Sequence, residues 1–278
     1  MDAADRLADL RIAIIGGGVM GKAFCQALIG GALSAPERIF VVEPDAAKRA
    51  SLTAEMGVRS SPVAGEDVVG AGLLLLAVKP QVFPTAAAQL KGHLRPESLV
   101  LSIMAGLPVA TIARGLGHQA VVRAMPNAAA GLRQSMTVWY ASPAVDGGLR
   151  DVAARALSAI GLTTEVKEES LLDAATAVSG SGPAYVCMLV EAMIEGAVAC
   201  GFAREVARCL AVQTLAGTAA LLSQPGAHPV LVRESVTSPA GTTAAGLLAL
   251  EARGMRAAVV EAILASQRRA KELGSTNR

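Results

Sequence analysis

Hydrophobic positions in the first half of the chain fall into short uninterrupted runs separated by amphipathic stretches. The runs at residues 11–15, 38–42, 73–78, 99–103 and 121–124 predict strands, and the stretches 20–28, 46–56, 82–90 and 109–116 carry helical spacing. The run Leu73-Leu74-Leu75-Leu76-Ala77-Val78 shows no polar alternation. That is the pattern of a strand buried on both faces of a parallel sheet. Strand–helix units repeated in this way imply right-handed crossovers and a doubly wound parallel α/β sheet.

Near Val166 the pattern changes, and helical spacing takes over at 170–178, 183–200, 204–223, 229–235, 242–252 and 255–272. Breaks are expected at Ser179-Gly-Ser-Gly-Pro183, Gly201, Pro225-Gly226, Ser238-Pro-Ala-Gly241 and Gly254. Pro183 suits a first helical turn and Gly201 the residue past a helix end. The expected division is therefore a sheet domain over 1–166 and an all-helical domain over 167–278. The helix from Pro183 is apolar on nearly every face, with Glu191 and Glu195 as its only charges. Two carboxylates at mid-helix would be costly in lipid, so this helix belongs inside protein. So short a helical half can scarcely surround it, and a second copy of the chain is expected to pack against it.

The first strand runs into Gly16-Gly17-Gly18-Val19-Met20-Gly21, and a helix follows. Strand, GxGxxG and helix in this order form the Rossmann-type dinucleotide loop. The first glycine makes the tight turn, the second lets backbone approach a pyrophosphate, and the third lets the helix pack on the strand. Glu43, at the end of the second strand, is placed to accept from the adenosine ribose hydroxyls and to repel a 2′-phosphate, which favours NAD. Lys48 and Arg49, one turn further on, are placed to reach such a phosphate instead, so the pattern leaves NADH or NADPH open.

Composition narrows the picture. A hydrophobic share of 53% with 17% charged residues excludes disorder, and 3% aromatics means a core of Ala, Val, Leu and Ile. A net charge of +2 is too small to suggest nucleic acid, and the basic tail (Arg268, Arg269, Lys271, Arg278) reads as a solvated helix end. Cys25, Cys187, Cys200 and Cys209 form no CxxC pair, which fits a reducing compartment and neither a disulfide nor a metal framework. The charged opening Met1-Asp-Ala-Ala-Asp-Arg6 is unlike a secretory leader, so a cytoplasmic location without membrane association is expected.

Five stretches carry a resemblance over essentially the whole chain. They are Ile14-Ile-Gly-Gly-Gly-Val-Met-Gly21, Leu76-Ala-Val-Lys-Pro-Gln81, Val122-Arg-Ala-Met-Pro-Asn127, Ala177-Val-Ser-Gly-Ser-Gly-Pro-Ala-Tyr185 and Val236-Thr-Ser-Pro-Ala-Gly-Thr-Thr243. In this order they resemble the pyrroline-5-carboxylate reductases, the last enzymes of proline synthesis. The resemblance implies NADPH or NADH bound by the glycine loop, with Ala77, Val78, Lys79 and Pro80 beside the cofactor and Ile103, Met104 and Ala105 near its nicotinamide end. It also implies a homodimer through the C-terminal helices, possible assembly to a homodecamer, and a substrate cleft completed by the partner. Three positions depart from the family pattern: Val19 and Ala64, where the family usually has Asn, and Ala240, where it has Gly.

The second half is poor in acids and bases, and its one histidine, His228, reads as a local cap. A cyclic imine such as 1-pyrroline-5-carboxylate can arrive protonated, so hydride attack on its C=N bond asks the protein for positioning, dryness and one hydrogen bond. The resemblance gives carboxylate binding mainly to the backbone of Gly241 and Thr242, the ring nitrogen to the Thr243 hydroxyl, turn shaping to Ser238, and a place near the proline site to Glu169. A plain helix cap by Ser238 and Thr242 is the bland alternative. Lys79 fits a cofactor edge better than catalysis, and the 179–182 turn lacks the Lys-Ser/Thr ending of a phosphate loop. A β-hydroxyacid dehydrogenase would need a lysine four residues before an asparagine, and neither Asn127 nor Asn277 has one. A reductase of another cyclic imine and a non-catalytic dinucleotide sensor stay open as alternatives.

Overall fold

Three or four consecutive apolar residues make each central strand: β1 (Ile12–Ile15), β2 (Ile39–Val42), β4 (Leu73–Leu76) and β5 (Leu99–Ser102), while β3 (Arg59–Ser61) is shorter and partly exposed. With β6 (Val121–Met125), β7 (Ser135–Ala141) and β8 (Gly161–Glu165) they form one sheet of order β3-β2-β1-β4-β5-β6-β7-β8. The structure, a computed structural model, describes residues 7–276; the opening six residues, Asn277 and Arg278 lie outside the described residues. β1 to β6 are parallel, with Ile12 aligned to Ile39 on one side and to Leu73 on the other. The doubly wound sheet is therefore present, except that β7 runs antiparallel to β6 and β8 follows β7.

Alternate residues of each strand feed two cores. Ile12, Ile14, Leu73 and Leu75 pack with α1 (Val19–Gly30), α2 (Ala46–Met56) and α5 (Gly147–Ser158) on one face. Ala13, Ile15, Leu74 and Leu76 pack with α3 (Phe83–Leu90) and α4 (Val109–Leu116) on the other. Burial on both faces explains why these strands carry no alternation.

Residues 126–165 hold β7, α5 and β8, none of which the hydrophobic pattern announced. In β7 burial does alternate, but two of the buried positions are Ser135 and Thr137, so the polarity pattern is blurred. The edge strand β8 leaves Leu162 exposed and reads as a loop. The start of α5 was readable in principle, since Asp146 caps it by accepting from the Leu149 N–H at 2.8 Å.

The break expected within Ser179-Gly-Ser-Gly-Pro183 is present at Ser181, and a π turn precedes it. α6 (Leu171–Ala175) leads through a π turn at Thr176–Gly180 to a bend at Ser181, after which α7 (Gly182–Ala199) begins. The Ser181 N–H reaches back to the Thr176 carbonyl at 2.8 Å, and Pro183, which donates no hydrogen bond, falls in the first turn of α7 as expected.

The chain divides into two compact units, one ending at Ser181 and resuming at Ser266, the other spanning Gly182–Ala265. In the first, α6 packs on β6 and β7. The second holds α7, α8 (Arg204–Leu222), α9 (Pro229–Ser235), α10 (Thr242–Ala252) and the start of α11 (Met255–Thr276). His228 caps α9 as expected, its Nδ1 accepting from the Val230 N–H at 3.3 Å. No residue of α7 is buried, and in α8 only Ala207 and Ala211 are. The runs Leu171–Ala199 and Arg204–Leu222 are long and apolar enough to cross a membrane by length and composition. Glu195 is taken up by Arg204 at 2.7 Å, whose side-chain hydrogen bond holds the carboxyl below its ordinary range. The described residues thus leave the apolar surface of α7 uncovered.

Candidate active site

Four neighbouring parallel strands deliver their carboxyl ends to one edge of the sheet. The loop after β1 carries Gly16 to Gly21, β2 ends at Glu43, Ala77 to Pro80 follow β4, and Ile103 to Ala105 follow β5. Open α/β sheets bind ligands at this edge, where the strand order reverses between β1 and β4.

The glycine loop has the shape that a diphosphate requires. Gly16 adopts φ +104°, and a Cβ there would lie 2.8 Å from the Ala77 carbonyl oxygen, so β1 and β4 approach as closely as bare backbone allows. At Gly21 a Cβ would meet the Gly16 carbonyl oxygen at 1.9 Å. At Gly18, by contrast, a Cβ would find nothing within 4 Å. Gly18 is also the N-cap of α1, and no side chain caps that helix. Its first N–H groups are thus free to bind an anion at the positive end of the helix dipole. Val19 is exposed beside them and Met20 half-buried.

Glu43 is buried, and both of its carboxylate oxygens already accept backbone hydrogen bonds. Oε2 takes the Gly17 N–H at 2.9 Å and Oε1 the Asp45 N–H at 3.0 Å. Arg49 donates Nη1 to the carbonyls of Glu43 and Pro44, each at 2.8 Å. Asp45 caps α2, and the Lys48 N–H, with that of Ala47, holds its carboxyl below the usual range. After β4, Ala77 and Val78 are half-buried and Lys79 is exposed, its carbonyl accepting from the Val82 N–H at 2.9 Å. Met104 turns its side chain into the core, so it presents backbone only, held by the Ser102 hydroxyl at 3.3 Å. Ala105 is exposed and Ile103 half-buried.

Glu169 belongs to the sheet-containing unit. Its Oε1 accepts from the Val109 N–H, the first of α4, at 2.8 Å and from Arg123 Nη1 at 3.0 Å. Arg123 is buried in β6, and its Nη2 lies 3.5 Å from Asp173 Oδ1. A cleft of about 350 Å³ opens here, lined by Gly106, Pro108, Arg123, Glu169, Asp173 and Lys271. Sequence reasoning gave Arg123 no role. Its signal was a lone charge in an otherwise apolar strand, Val121-Val-Arg-Ala-Met125.

Ser238 to Thr243 lie in the helical unit, so the structure does not group them with Glu169. Gly241 is the N-cap of α10 and donates its N–H to the Ser238 carbonyl at 3.1 Å, and no side chain caps the helix. The plain capping role for Ser238 and Thr242 is therefore not what the turn shows. Its first N–H groups are available to a carboxylate, and the Thr242 and Thr243 hydroxyls make no hydrogen bond among the described residues. Ala240 adopts φ +56°, a left-handed conformation that favours glycine.

A glycine loop at the switch point of a Rossmann-type sheet, followed by a helical unit, defines a nicotinamide-dependent oxidoreductase. Residues 11–106 match the family described as NADP oxidoreductase, coenzyme F420-dependent, and residues 169–273 match pyrroline-5-carboxylate reductase dimerisation. The pyrroline-5-carboxylate reductase of Synechocystis is 44% identical over 95% of this chain and 98% of its own, and that of Pseudomonas aeruginosa 37% identical over 95% and 96%. The solved reductase of Coxiella burnetii superposes with a TM-score of 0.91 at 33% identity, covering 95% of this chain and 98% of that one. This chain belongs to the pyrroline-5-carboxylate reductase family.

Proposed function

We propose that this protein reduces 1-pyrroline-5-carboxylate to proline, with NADH or NADPH as hydride donor. The observation that carries the reading is the pairing, in a chain matched nearly end to end by such reductases, of a cofactor loop with an uncapped helix start that has no acid or base of its own. Bound reduced nicotinamide supplies a hydride. The uncapped N–H groups of α1 hold the diphosphate, while the backbone around Ala77 to Pro80 and Ile103 to Ala105 positions the ring end. The carboxylate expected at the backbone of Gly241 and Thr242 falls instead to the N–H groups of Thr242 and Thr243, at the start of α10, because the Gly241 N–H is spent on the Ser238 carbonyl; Ser238 and Gly241 shape the turn. The Thr243 hydroxyl accepts from the iminium N–H. When hydride reaches the C=N carbon, the π pair moves onto a nitrogen that already carries its proton, so the protein need not transfer one. Glu169 contributes by holding the start of α4 to Arg123.

Cofactor binding is assigned to the sheet-containing unit and carboxylate binding to the helical unit; the compact units part after Ser181 and again at Ser266, not at the expected 166/167 boundary. The dimerisation match over 169–273 supports a homo-oligomer, and we place its contact on α7 and α8, whose apolar faces are uncovered in one chain. The working unit is a soluble cytoplasmic homodimer, a decamer being the larger assembly that the family resemblance implies.

The test is oxidation of NADH and NADPH by purified protein with and without 1-pyrroline-5-carboxylate, with proline identified among the products. Substrate-dependent oxidation yielding proline supports the reading. Cofactor that binds but stays reduced, or oxidation only with a different cyclic imine, would overturn it.

A further inference from the structure

We infer that Glu43 makes this enzyme prefer NADH, because the structure leaves a buried carboxylate and almost no available cation where a 2′-phosphate would have to sit. The inference rests on the proposed reading only in taking the glycine loop as the cofactor site.

The two backbone N–H bonds to Glu43 fix its carboxylate between the glycine loop and the start of α2. A carboxylate has about four lone-pair positions, so each oxygen keeps one acceptor site. Ribose hydroxyls can donate to these. A 2′-phosphate brings about −1.5 to −2 charge, has only acceptors to offer beside a carboxylate, and is repelled. Glu43 cannot easily turn aside, since it is buried and held at both oxygens.

Cations on the surrounding elements are already committed. Arg49, which by sequence alone was as good a phosphate ligand as Lys48, spends its guanidinium on the carbonyls of Glu43 and Pro44. Lys22 on α1 pairs with Glu55 at 2.7 Å, and Arg59 on β3 pairs with Asp67. Among the described residues, Lys48 is the only one of these four without an ion pair or side-chain hydrogen bond. It stands in the first turn of α2 beside the capping Asp45, a second negative charge. One solvated lysine does not offset two carboxylates, one of them buried.

The experiment titrates the full-length protein with NADH and NADPH by nicotinamide fluorescence, then displaces NADH with ADP or 2′,5′-ADP, which lack the nicotinamide end. Wild-type protein is expected to bind NADH and ADP roughly tenfold or more tighter than the 2′-phosphorylated partners, the scale of one like-charge contact near a protein surface. In Glu43→Gln one acceptor remains for the backbone and the charge is gone, so the two affinities should converge. NADPH binding to wild type as tightly as NADH overturns the inference, and so does a Glu43→Gln protein that keeps the full preference. Should Glu43→Gln not fold, Glu43→Ser and the wild-type fragment displacement still decide it. Failure to reduce 1-pyrroline-5-carboxylate with NADH selectivity intact would strike the proposed reaction alone.

Discussion

Replacing Glu169 by Ala tests whether this residue acts mainly as a brace. The substitution removes one oxygen that accepts from the Val109 N–H at 2.8 Å and from Arg123 Nη1 at 3.0 Å. Arg123, with a side chain 5% exposed, is left with Asp173 at 3.5 Å as its nearest counter-charge, and its Nε already lacks a hydrogen-bond partner. Breaking a buried ion pair by deleting one member costs about 3–5 kcal/mol. Glu169 is itself 26% exposed and Asp173 remains, so the cost falls at or below the low end of that range, about 2–3 kcal/mol. At about 2–4 °C per kcal/mol, Tm should fall by roughly 5–10 °C. The assay is thermal unfolding at fixed protein concentration, because an oligomer's midpoint depends on it. Glu169→Gln keeps an acceptor for Val109 and should lose about 1 kcal/mol. The double variant Arg123→Met with Glu169→Met should be more stable than the two single losses added, since the buried guanidinium and its main partner leave together and only the partly exposed Asp173 loses a partner. An unchanged Tm with a large loss of kcat/KM would refute the brace and make Glu169 a substrate ligand.

Other substitutions probe the remaining features. Gly21→Ala places a Cβ 1.9 Å from the Gly16 carbonyl, so it should abolish NADH binding by fluorescence titration or prevent soluble expression; near-normal affinity would contradict the loop geometry. Thr243→Val should lower kcat/KM by roughly 10- to 100-fold while Tm changes little, the cost of one lost polar contact in a dry site. Unchanged kinetics would remove the hydroxyl from the mechanism. Ala240→Gly relieves a φ of +56° and should raise stability by about 1 kcal/mol, read as a higher Tm; a lower Tm would mean that the methyl group is packed. Burial pushes the Cys25 thiol from 9.0 up to about 12, so the unfolded chain ionises first. Its contribution to stability is whole below about pH 9 and is lost as pH climbs towards 12. Cys25→Ala should therefore show a shallower alkaline fall in Tm than wild type, and equal slopes would count against it.

The sequence alone determined what depends on local periodicity and backbone chemistry. Four bare apolar runs required a sheet buried on both faces, and glycine at 16, 18 and 21 after a strand required a turn that only backbone can line. The second half's helices were legible because each residue's place in the 3.6 period is set by its own neighbours in sequence. Tertiary structure decided what depends on partners distant in the chain. Ser135 and Thr137 look like loop residues until β7 is paired between β6 and β8 and one of its faces is buried. Arg49 and Lys48 are equivalent in sequence, and only the fold commits one to carbonyl oxygens and leaves the other in water. The carboxylates divide in the same way, since Glu43 and Glu169 acquire their roles from N–H groups that sit 26 and 60 residues away. A side chain's charge is written in the sequence, but what it is paired with is fixed only when the chain folds.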